Sequence, residues 1–374
     1  MLPQVGQLFQ NQSDIGMILQ TLFSLSFIIY LFYAQRIQSM SMLRQVEGTL
    51  MKVKNLRDEG RTASIKAVRE VGRSGNDPTP EVERFMEHFF IEPVSLDPAG
   101  IVGKLGQLLN VREKKLEDEV RAIAPGASDS ELNNLNLLLE ASMALNVYYK
   151  VIRHFYLLGR KTMNIYVIMQ IHMILPMLMR EIEAYSSALQ AFQEGMPIGD
   201  GIGAFVAAKM MHGHELREVA KETVVAEVPY EERTLLVLKA KGPGGTVGKP
   251  GDAIENIIND RKGKDAVKAV IMIDAAGKLE GEPTGSVADG IGAAIGGIGV
   301  EKYKIEEAAK ARDLPLYAVA IKEDISQVIA PMVEELFKAC DPAIDSVKKL
   351  IKERTQKGDV VLVAGIGNTI GIAQ

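Results

Sequence analysis

The chain contains one cysteine, Cys340, and no tryptophan. A single thiol excludes an intramolecular disulfide, and it also excludes zinc fingers and iron–sulfur centres, which take several cysteine ligands. A lone cysteine is typical of a protein kept in a reducing compartment. The formal net charge is −5, so there is no excess of positive charge of the kind that binds nucleic acid. We expect no nucleic-acid partner, and the sequence indicates no metal ion and no particular cofactor.

Charged side chains are also missing from residues 15–34, which are predominantly apolar. A helix of about 20 apolar residues crosses the ~30 Å hydrocarbon core of a bilayer. Tyr30 and Tyr33 lie near one end of the segment, as interfacial aromatic residues do. Residues 1–14 contain no Lys or Arg, so the basic start of a cleaved signal peptide is absent. We therefore predict a transmembrane anchor within residues 1–35 that contacts the lipid bilayer through residues 15–34.

Basic residues follow the anchor, at Arg36, Arg44, Lys52 and Lys54. Because positive charge is retained on the cytoplasmic side of a membrane, this bias sets the orientation. It predicts a single-pass protein of the cell membrane with its N-terminus outside and the bulk of the chain in the cytoplasm.

A second uncharged stretch covers residues 162–179 and contains polar side chains and Pro176. Polar groups are costly in lipid unless they are paired, so a buried helix is the favoured interpretation. The alternative is a second membrane span, which would place the C-terminal half of the chain outside the cell.

The residues after the anchor show helical periodicity. Apolar positions three and four apart over residues 36–71 predict a juxtamembrane helix, followed by a linker to residue 77. Residues 78–219 are expected to form an all-α middle domain. Within it, Ser128 and Glu131 have the spacing of a capping box ahead of a long Leu-rich helix.

Residues 220–374 change in character, since apolar runs alternate with glycine-rich loops and helical stretches. Four of these runs have the composition of buried strands, at residues 235–240, 270–273, 316–321 and 360–364. Another β-branched run, residues 223–228, precedes them. This order predicts a C-terminal α/β domain with a mostly parallel sheet, of the phosphorylase- and hydrolase-like kind. Such a sheet has a crevice at the carboxyl ends of its strands.

The loop after the first of these strands is rich in glycine. Its candidate ligand-binding residues are Gly242, Gly244, Gly245, Thr246, Gly248 and Lys249. A P-loop needs Gly, four residues and then Gly-Lys-Ser/Thr, but Pro243 replaces the first glycine and Pro250 replaces the hydroxyl residue. The loop therefore lacks the Mg²⁺ ligand of that class of ATPase. A looser nest of backbone amides for a small anion remains, because a helix is predicted to start at about Gly251.

Three aspartates are candidate catalytic residues, namely Asp252, Asp274 and Asp289. Two carboxyl groups in one pocket have pKa values that split, so that one acts as an acid and the other as a base. Asp252 and Asp274 meet this condition if strands 235–240 and 270–273 are neighbours, as strands adjacent in sequence usually are. The alternative is that these aspartates cap helices and turns.

Asp200 also allows two interpretations. It precedes a predicted helix that ends at about Met211, and it either caps that helix or faces the crevice, with capping favoured. His212 and His214 near the end of the helix do not share a helix face, so we expect no metal site there.

The chain as a whole is similar to a known family. The N-terminal apolar segment, residues 195–203, residues 239–252 and the closing Gly365-Ile-Gly-Asn-Thr369 carry the likeness. They resemble archaeal membrane-anchored proteins catalogued as domain of unknown function number fifteen-twelve. This resemblance implies an archaeal source but no activity.

Residues 234–331 resemble the core of bacterial spore germination proteases, which share a fold with hydrogenase maturation peptidases. Those proteases carry a strand, a Gly-x-Gly-Asn loop and an aspartate that opens a helix, followed by an apolar strand ending in Ile-Asp-Ala. Gly242 to Ala253 and Ile273-Asp274-Ala275 are similar to these segments. The resemblance implies that Asp252 and Asp274 form the acid pair of an aspartic-type peptidase. Gly365-Ile-Gly-Asn368 looks like the opening motif of the maturation peptidases, although it comes last here.

The favoured hypothesis is a membrane-tethered hydrolase, a peptidase, in which Asp252 and Asp274 activate water and protonate the leaving nitrogen. Backbone amides around Gly244–Gly248, or around Gly365, Gly367 and Asn368, would stabilise the oxyanion. The alternative is a non-catalytic sensor or assembly module at the membrane that binds a peptide, a small anion or a protein partner in the same crevice. A third hypothesis is a scaffold whose helical domain acts at the membrane.

Overall fold

The computed structural model describes residues 14–73, 75–91, 93, 100–297 and 299–373. Helices fill the first half of this part of the chain, and strands enter after residue 215. The helices are α1 Asp14–Gly72, α2 Thr79–Phe85, α3 Ile101–Ile123, α4 Asp129–Thr162, α5 Ile165–Glu194, α6 Ile202–Met211, α7 Pro250–Asp260, α8 Val300–Lys310 and α9 Glu334–Arg354. The strands are β1 Leu216–Ala220, β2 Thr223–Tyr230, β3 Arg233–Ala240, β4 Val267–Gly277, β5 Val287–Ile291, β6 Leu316–Glu323 and β7 Val360–Gly365. Short 3₁₀ turns cover Gly199–Gly201 and Gly263–Asp265.

The chain packs as two compact units. The first combines the described residues of 1–55 with 147–179, and the second combines those of 56–146 with 180–374. The first unit is helical. Along α1, the buried side chains Leu43, Val46, Leu50 and Val53 recur at intervals of three and four, as predicted, whereas Ile37 and Met40 of the same predicted face are exposed. The other two helices of the unit contribute Ile152, Tyr156, Ile168, Ile171 and Leu175.

Within the part of the chain that the structure describes, two helices are long and apolar enough to cross a membrane, within Gly16–Gly72 and Ile165–Glu194. They differ in burial. Every side chain from Met17 to Leu31 is exposed, so this part of α1 packs against no core formed by the described residues. Helix α5 buries Ile168 and Ile171 but exposes Tyr166 and Met173, so it is amphipathic rather than apolar all round.

The predicted capping box at the start of α4 is confirmed. The Ser128 backbone N–H donates to Glu131 Oε2 at 2.7 Å, and the Glu131 N–H donates to Ser128 Oγ at 3.3 Å. These two bonds satisfy backbone donors that have no partner within the helix.

The second unit contains a mixed seven-stranded sheet with the order β1-β2-β3-β7-β4-β6-β5. Its four central strands, β3, β7, β4 and β6, are parallel, and they are the four that the sequence predicts. Strands β1, β2 and β5 pair antiparallel at the two sides. Strands β2 and β3 form a hairpin whose turn residues, Glu231 and Glu232, have φ of 44° and 62°, the left-handed values that tight hairpins need.

One expectation about the sheet is wrong. Strands 235–240 and 270–273 are not neighbours, because β7 lies between β3 and β4. All six residues of β7 are buried, and a strand that is apolar on both faces is most stable at the centre of a sheet covered on both sides. Asp252 and Asp274 therefore do not follow neighbouring strands, and the condition on which their pairing was predicted is not met.

Helices cover both faces of the sheet. Helices α6 and α9 pack on one face with Val237, Ile271 and Val363 in a common cluster, and α7 packs on the other with Leu236 and Leu362. Helix α6 and strand β1 thus pack with the sheet, although the sequence grouped residues 78–219 with the helical domain.

Helix α6 lies on β7 with no side chain between the two backbones. A β-carbon at Gly203 would overlap the carbonyl oxygens of Ile366 and Ile273, and one at Gly365 would overlap the carbonyl oxygen of Gly203 and the β-carbon of Ala207. Both glycines are needed for this approach, because any other residue would push the helix off the sheet.

We expect Gly365→Ala to destabilise the protein by about 1–3 kcal/mol, because the added methyl group has no free space next to α6. Gly277→Ala is the matched control, since Gly277 also ends a parallel strand but has no atom within 4 Å of an added β-carbon. Denaturant unfolding of the two variants gives the comparison. Equal stability of both would show that the helix–strand contact is not tight.

Candidate functional site

The carboxyl ends of β7, β4 and β6 meet at one edge of the sheet, next to the start of α6. The Ile366 N–H donates to the Ile273 carbonyl at 2.8 Å, so the loop after β7 folds over the end of β4. The 3₁₀ turn Gly199–Gly201 leads into α6 at this edge. In open α/β sheets, ligands bind at this edge.

Asp200 lies in this turn and is only partly exposed. Its Oδ2 accepts a hydrogen bond from the Asn368 N–H at 2.9 Å. Gly367, with φ of 123°, fits against the Asp200 backbone, where a β-carbon would overlap the Asp200 carbonyl oxygen. Burial raises the pKa of Asp200, and the hydrogen bond from Asn368 only partly opposes this.

Asp274 lies near the end of β4 and has only 7% of its surface exposed. Its Oδ1 accepts a hydrogen bond from the Ala275 N–H at 2.8 Å, and the Gly296 N–H also stabilises its charged form. Burial, and then the charge of Asp200, outweigh these bonds and raise the pKa of Asp274 to about 8. The charge of Asp200 thus acts on the ionisation of Asp274.

Glu323 is the third member of this group, at the end of β6. It is fully buried, and neither of its carboxyl oxygens has a hydrogen-bond partner among the described residues. Its carboxyl group lies against Gly199, where a β-carbon would overlap Oε2. Burial first, and then the charges of Asp200 and Asp274, raise the pKa of Glu323 to about 8. We call Asp200, Asp274 and Glu323 the acid cluster.

The acid cluster can hold and exchange protons near neutral pH. Carboxyl groups whose charges act on one another titrate as a coupled set rather than one by one. Such a set supplies a general base and a general acid at the same site. In the part of the chain that the structure describes, no group of three His, Cys, Asp or Glu side chains is arranged to hold a metal ion.

The other two predicted aspartates lie elsewhere. Asp252 is in the first turn of α7, where its Oδ1 accepts a hydrogen bond from Lys304 Nζ at 2.6 Å. Asp289 is exposed on the edge strand β5, and it accepts a hydrogen bond from the Ser346 hydroxyl. Of the three, only Asp274 belongs to the acid cluster.

The glycine-rich loop lines a separate cavity of about 620 Å³ between itself, α3 and α4. All six of its predicted ligand-binding residues, Gly242, Gly244, Gly245, Thr246, Gly248 and Lys249, lie on the wall of this cavity. The backbone amides of Gly245, Gly248 and Lys249 already donate hydrogen bonds within the protein, however. The Gly245 N–H donates to Asn134 Oδ1 at 2.8 Å and the Lys249 N–H donates to Thr223 Oγ1 at 2.8 Å. The loop is therefore not an open nest of backbone donors.

The remaining predicted ligand residues, Gly365, Gly367 and Asn368, belong to the edge that carries the acid cluster. Asn368 is 6% exposed. Its backbone contacts Asp200, while the residue also lines the cavity beneath the glycine-rich loop. Asn368 thus contacts the acid cluster and also lines the cavity.

Sequence reasoning missed Glu323 and undervalued Asp200. The signal for Glu323 in the sequence was its place just after the apolar run 316–321, at the carboxyl end of a predicted strand. A buried lysine was also missed. Lys239 on β3 is fully buried, its Nζ donates to the Ala240 carbonyl at 3.0 Å, and burial lowers its pKa to about 8.

Comparison with known proteins identifies a family but no activity. A family model described as "Protein of unknown function (DUF1512) N-terminal domain" matches residues 20–195. A second, described as "Domain of unknown function (DUF1512) C-terminal", matches residues 198–373. No curated protein and no solved structure matches the chain.

The acid cluster predicts a distinctive pH dependence of stability. Asp274 and Glu323 stay protonated in the folded protein up to about pH 8, whereas in the unfolded chain they ionise near pH 4. The folded state therefore binds more protons than the unfolded state between these values. The free energy of unfolding should fall as the pH rises through this window, by at most about 1.4 kcal/mol per pH unit for each group.

Replacing one of these carboxyl groups should flatten the slope. We expect Asp274→Asn to reduce the pH dependence of the free energy of unfolding between about pH 5 and pH 8, because one proton-binding group is removed. Asp289→Asn, outside the cluster, should leave it as in the wild type. Denaturant titrations at several pH values provide the measurement, and a slope unchanged in Asp274→Asn would contradict the assignment.

Proposed function

Because this chain belongs to the DUF1512 family, whose descriptions carry no activity, we propose its function from the acid cluster: a membrane-anchored hydrolase of the peptidase class. Asp200 and Asp274 are its acid pair. This assignment keeps Asp274 from the sequence hypothesis and replaces Asp252 by Asp200.

The observation that carries the proposal is that the loop after β7 contacts both Asp200 and the end of β4, next to Asp274: the Asn368 N–H donates to Asp200, and the Ile366 N–H donates to the Ile273 carbonyl. Two carboxyl groups, one protonated and one ionised, provide both partners of a hydrolytic step. The ionised carboxylate takes a proton from water as the oxygen attacks the carbonyl carbon. The protonated carboxyl group then donates its proton to the leaving nitrogen as the C–N bond breaks.

The peptidase class is supported by how the motifs assemble in space. The resemblance calls for a strand, a Gly-x-Gly-Asn loop and then an aspartate that opens a helix. Strand β7 runs into Gly365-Ile-Gly-Asn368, whose last N–H donates to Asp200, and Asp200 precedes α6. The strand and loop of the motif thus come from β7 and the residues after it, and the aspartate and helix come from Asp200 and α6. In space they follow one another in the order that the resemblance calls for. Along the chain, the loop and the aspartate are 168 residues apart.

The membrane part of the proposal depends on α1. Its exposed segment from Met17 to Leu31 fits a single span whose N-terminus lies outside the cell. Helix α5, the other candidate, lies beside a polar part of α1, because His172 Nε2 is 2.7 Å from Gln45 Oε1. If residues 15–34 cross the bilayer, α5 lies beyond it. This arrangement supports one span rather than two.

A binding module remains the rival function, with the cavity under the glycine-rich loop as its site. A free anion is disfavoured there, because the lysines of the cavity wall are already paired with carboxylates. Lys249 lies 2.7 Å from Glu113, and Lys221 lies 2.7 Å from Glu117. A peptide or protein partner, which can pair with both signs of charge, fits this wall better than a free anion does.

Peptide cleavage by the purified full-length chain tests the proposal. The protein is incubated with a defined mixture of synthetic peptides, and products are identified by mass spectrometry. We expect Asp200→Asn and Asp274→Asn each to lower the cleavage rate by about 10²-fold or more, since each removes one proton-transfer group.

Asp252→Asn and Asp289→Asn are the matched controls and should keep the wild-type rate, because neither residue lies in the acid cluster. Cleavage that survives in both Asp200→Asn and Asp274→Asn would refute the acid pair. Stabilisation of the wild type by a peptide, with no product formed, would favour the binding module.

A further inference from the structure

Contacts of α4 and α5 with α1 show which residues of α1 lie level with the turn between α4 and α5. Near its end, α4 runs antiparallel to α1, because Tyr156 lies beside Glu47 and Gly159 faces Leu43. Helix α5 runs back in the direction of α1, with His172 bonded to Gln45. The helices therefore meet at a turn that points towards the start of α1.

The height of this turn follows from the helical rise. The turn is about four residues beyond Gly159 and about eight residues before His172, so both contacts put it level with residues 37–39 of α1. At ~1.5 Å per residue, that is about 5–8 Å beyond Ala34. The headgroup layer of a bilayer begins at the hydrocarbon boundary and is about 5–7 Å thick. The turn lies at its level if residues 15–34 span the membrane.

The first unit carries a net positive charge. The first unit contains eight Lys or Arg and two Asp or Glu, in a chain whose net charge is −5. Residues 147–179 contain no Asp or Glu. Arg160 and Lys161 are exposed at the turn, and Arg36 is exposed at the same level of α1.

Exposed apolar groups accompany these charges. Tyr166, one residue into α5, is 73% exposed, and Ile37 on α1 is 62% exposed. An aromatic ring with a polar tip next to long basic side chains is the composition of a bilayer interface. We call Arg36, Ile37, Arg160, Lys161 and Tyr166 the turn surface.

We propose that the turn surface binds anionic lipid headgroups beside the point where α1 leaves the bilayer. The proposal rests on the membrane span of the proposed function and is independent of the acid cluster. Basic residues near an anionic surface each strengthen binding by about fivefold. The occupant is therefore a membrane surface, with acidic phosphate groups as the partners of Arg160 and Lys161.

Depth-dependent fluorescence quenching tests this surface. The full-length chain carries Cys340→Ser, to remove its own thiol, and Tyr166→Cys labelled with an environment-sensitive fluorophore. It is reconstituted in nanodiscs of phosphatidylcholine, with or without phosphatidylglycerol, and containing lipids with a nitroxide on the headgroup. We expect quenching at position 166 that is at least about twofold stronger with phosphatidylglycerol and that weakens in high salt.

Two other label positions separate the possible failures. Met177→Cys, on α5 about five residues beyond the level of Gln45, should be unquenched, since it lies about 24 Å from Ala34 by helical rise. Leu25→Cys should be quenched by a nitroxide deep in the acyl chains. An unquenched Leu25 label would refute the span itself. A quenched Leu25 label with equal quenching at positions 166 and 177 would refute the turn surface alone.

Charge reversal completes the test. Arg160→Glu with Lys161→Glu should bring quenching at position 166 down to the level in phosphatidylcholine. The control reverses two exposed lysines of the second unit, Lys262→Glu with Lys264→Glu, and should change nothing. Unchanged quenching in the first double variant would overturn the role of the basic side chains. Quenching of both positions 166 and 177 by the acyl-chain nitroxide would instead make α5 a second span and overturn the proposal.

Discussion

The contact between the start of α6 and the end of β7 is the constraint on which the sheet edge depends. Gly203 and Gly365 let two backbones touch, and Gly367 lets the following loop turn against Asp200. With a side chain at any of these positions, the 3₁₀ turn could not reach the ends of β4 and β6. The same contact that packs the helix therefore also brings Asp200 to Asp274 and Glu323.

Burying three carboxyl groups at this edge makes the free energy of folding less favourable. Buried carboxyl groups lose hydration, and Glu323 receives no hydrogen bond from the described residues in return. The cost is limited because these groups hold their protons in the folded state rather than remain charged. An apolar side chain at the end of β6 would pack with Ile321 at no such cost. Apolar side chains would therefore pack this edge more favourably than the three acids do.

Local signals in the sequence were sufficient for the elements but not for the site. The capping box of α4, the strand at residues 223–228 and the four parallel strands depend on residues close in the chain, and each was predicted. The acid cluster depends on strand order and on a bond between Asp200 and Asn368, which are 168 residues apart. No periodicity encodes such a pairing. The rule that consecutive strands are neighbours favoured Asp252 instead, and the insertion of β7 between β3 and β4 breaks that rule.

The central place of β7 also has a consequence for assembly. Strand β7, residues 360–365, joins β3 to β4. The sheet is therefore completed only when this late part of the chain is in place, through contacts distant in sequence. Asp200 is synthesised before every strand, yet its hydrogen-bond donor, Asn368, follows the last one. The hydrogen bond that Asp200 accepts from Asn368 therefore forms only when β7 and the loop after it are in place.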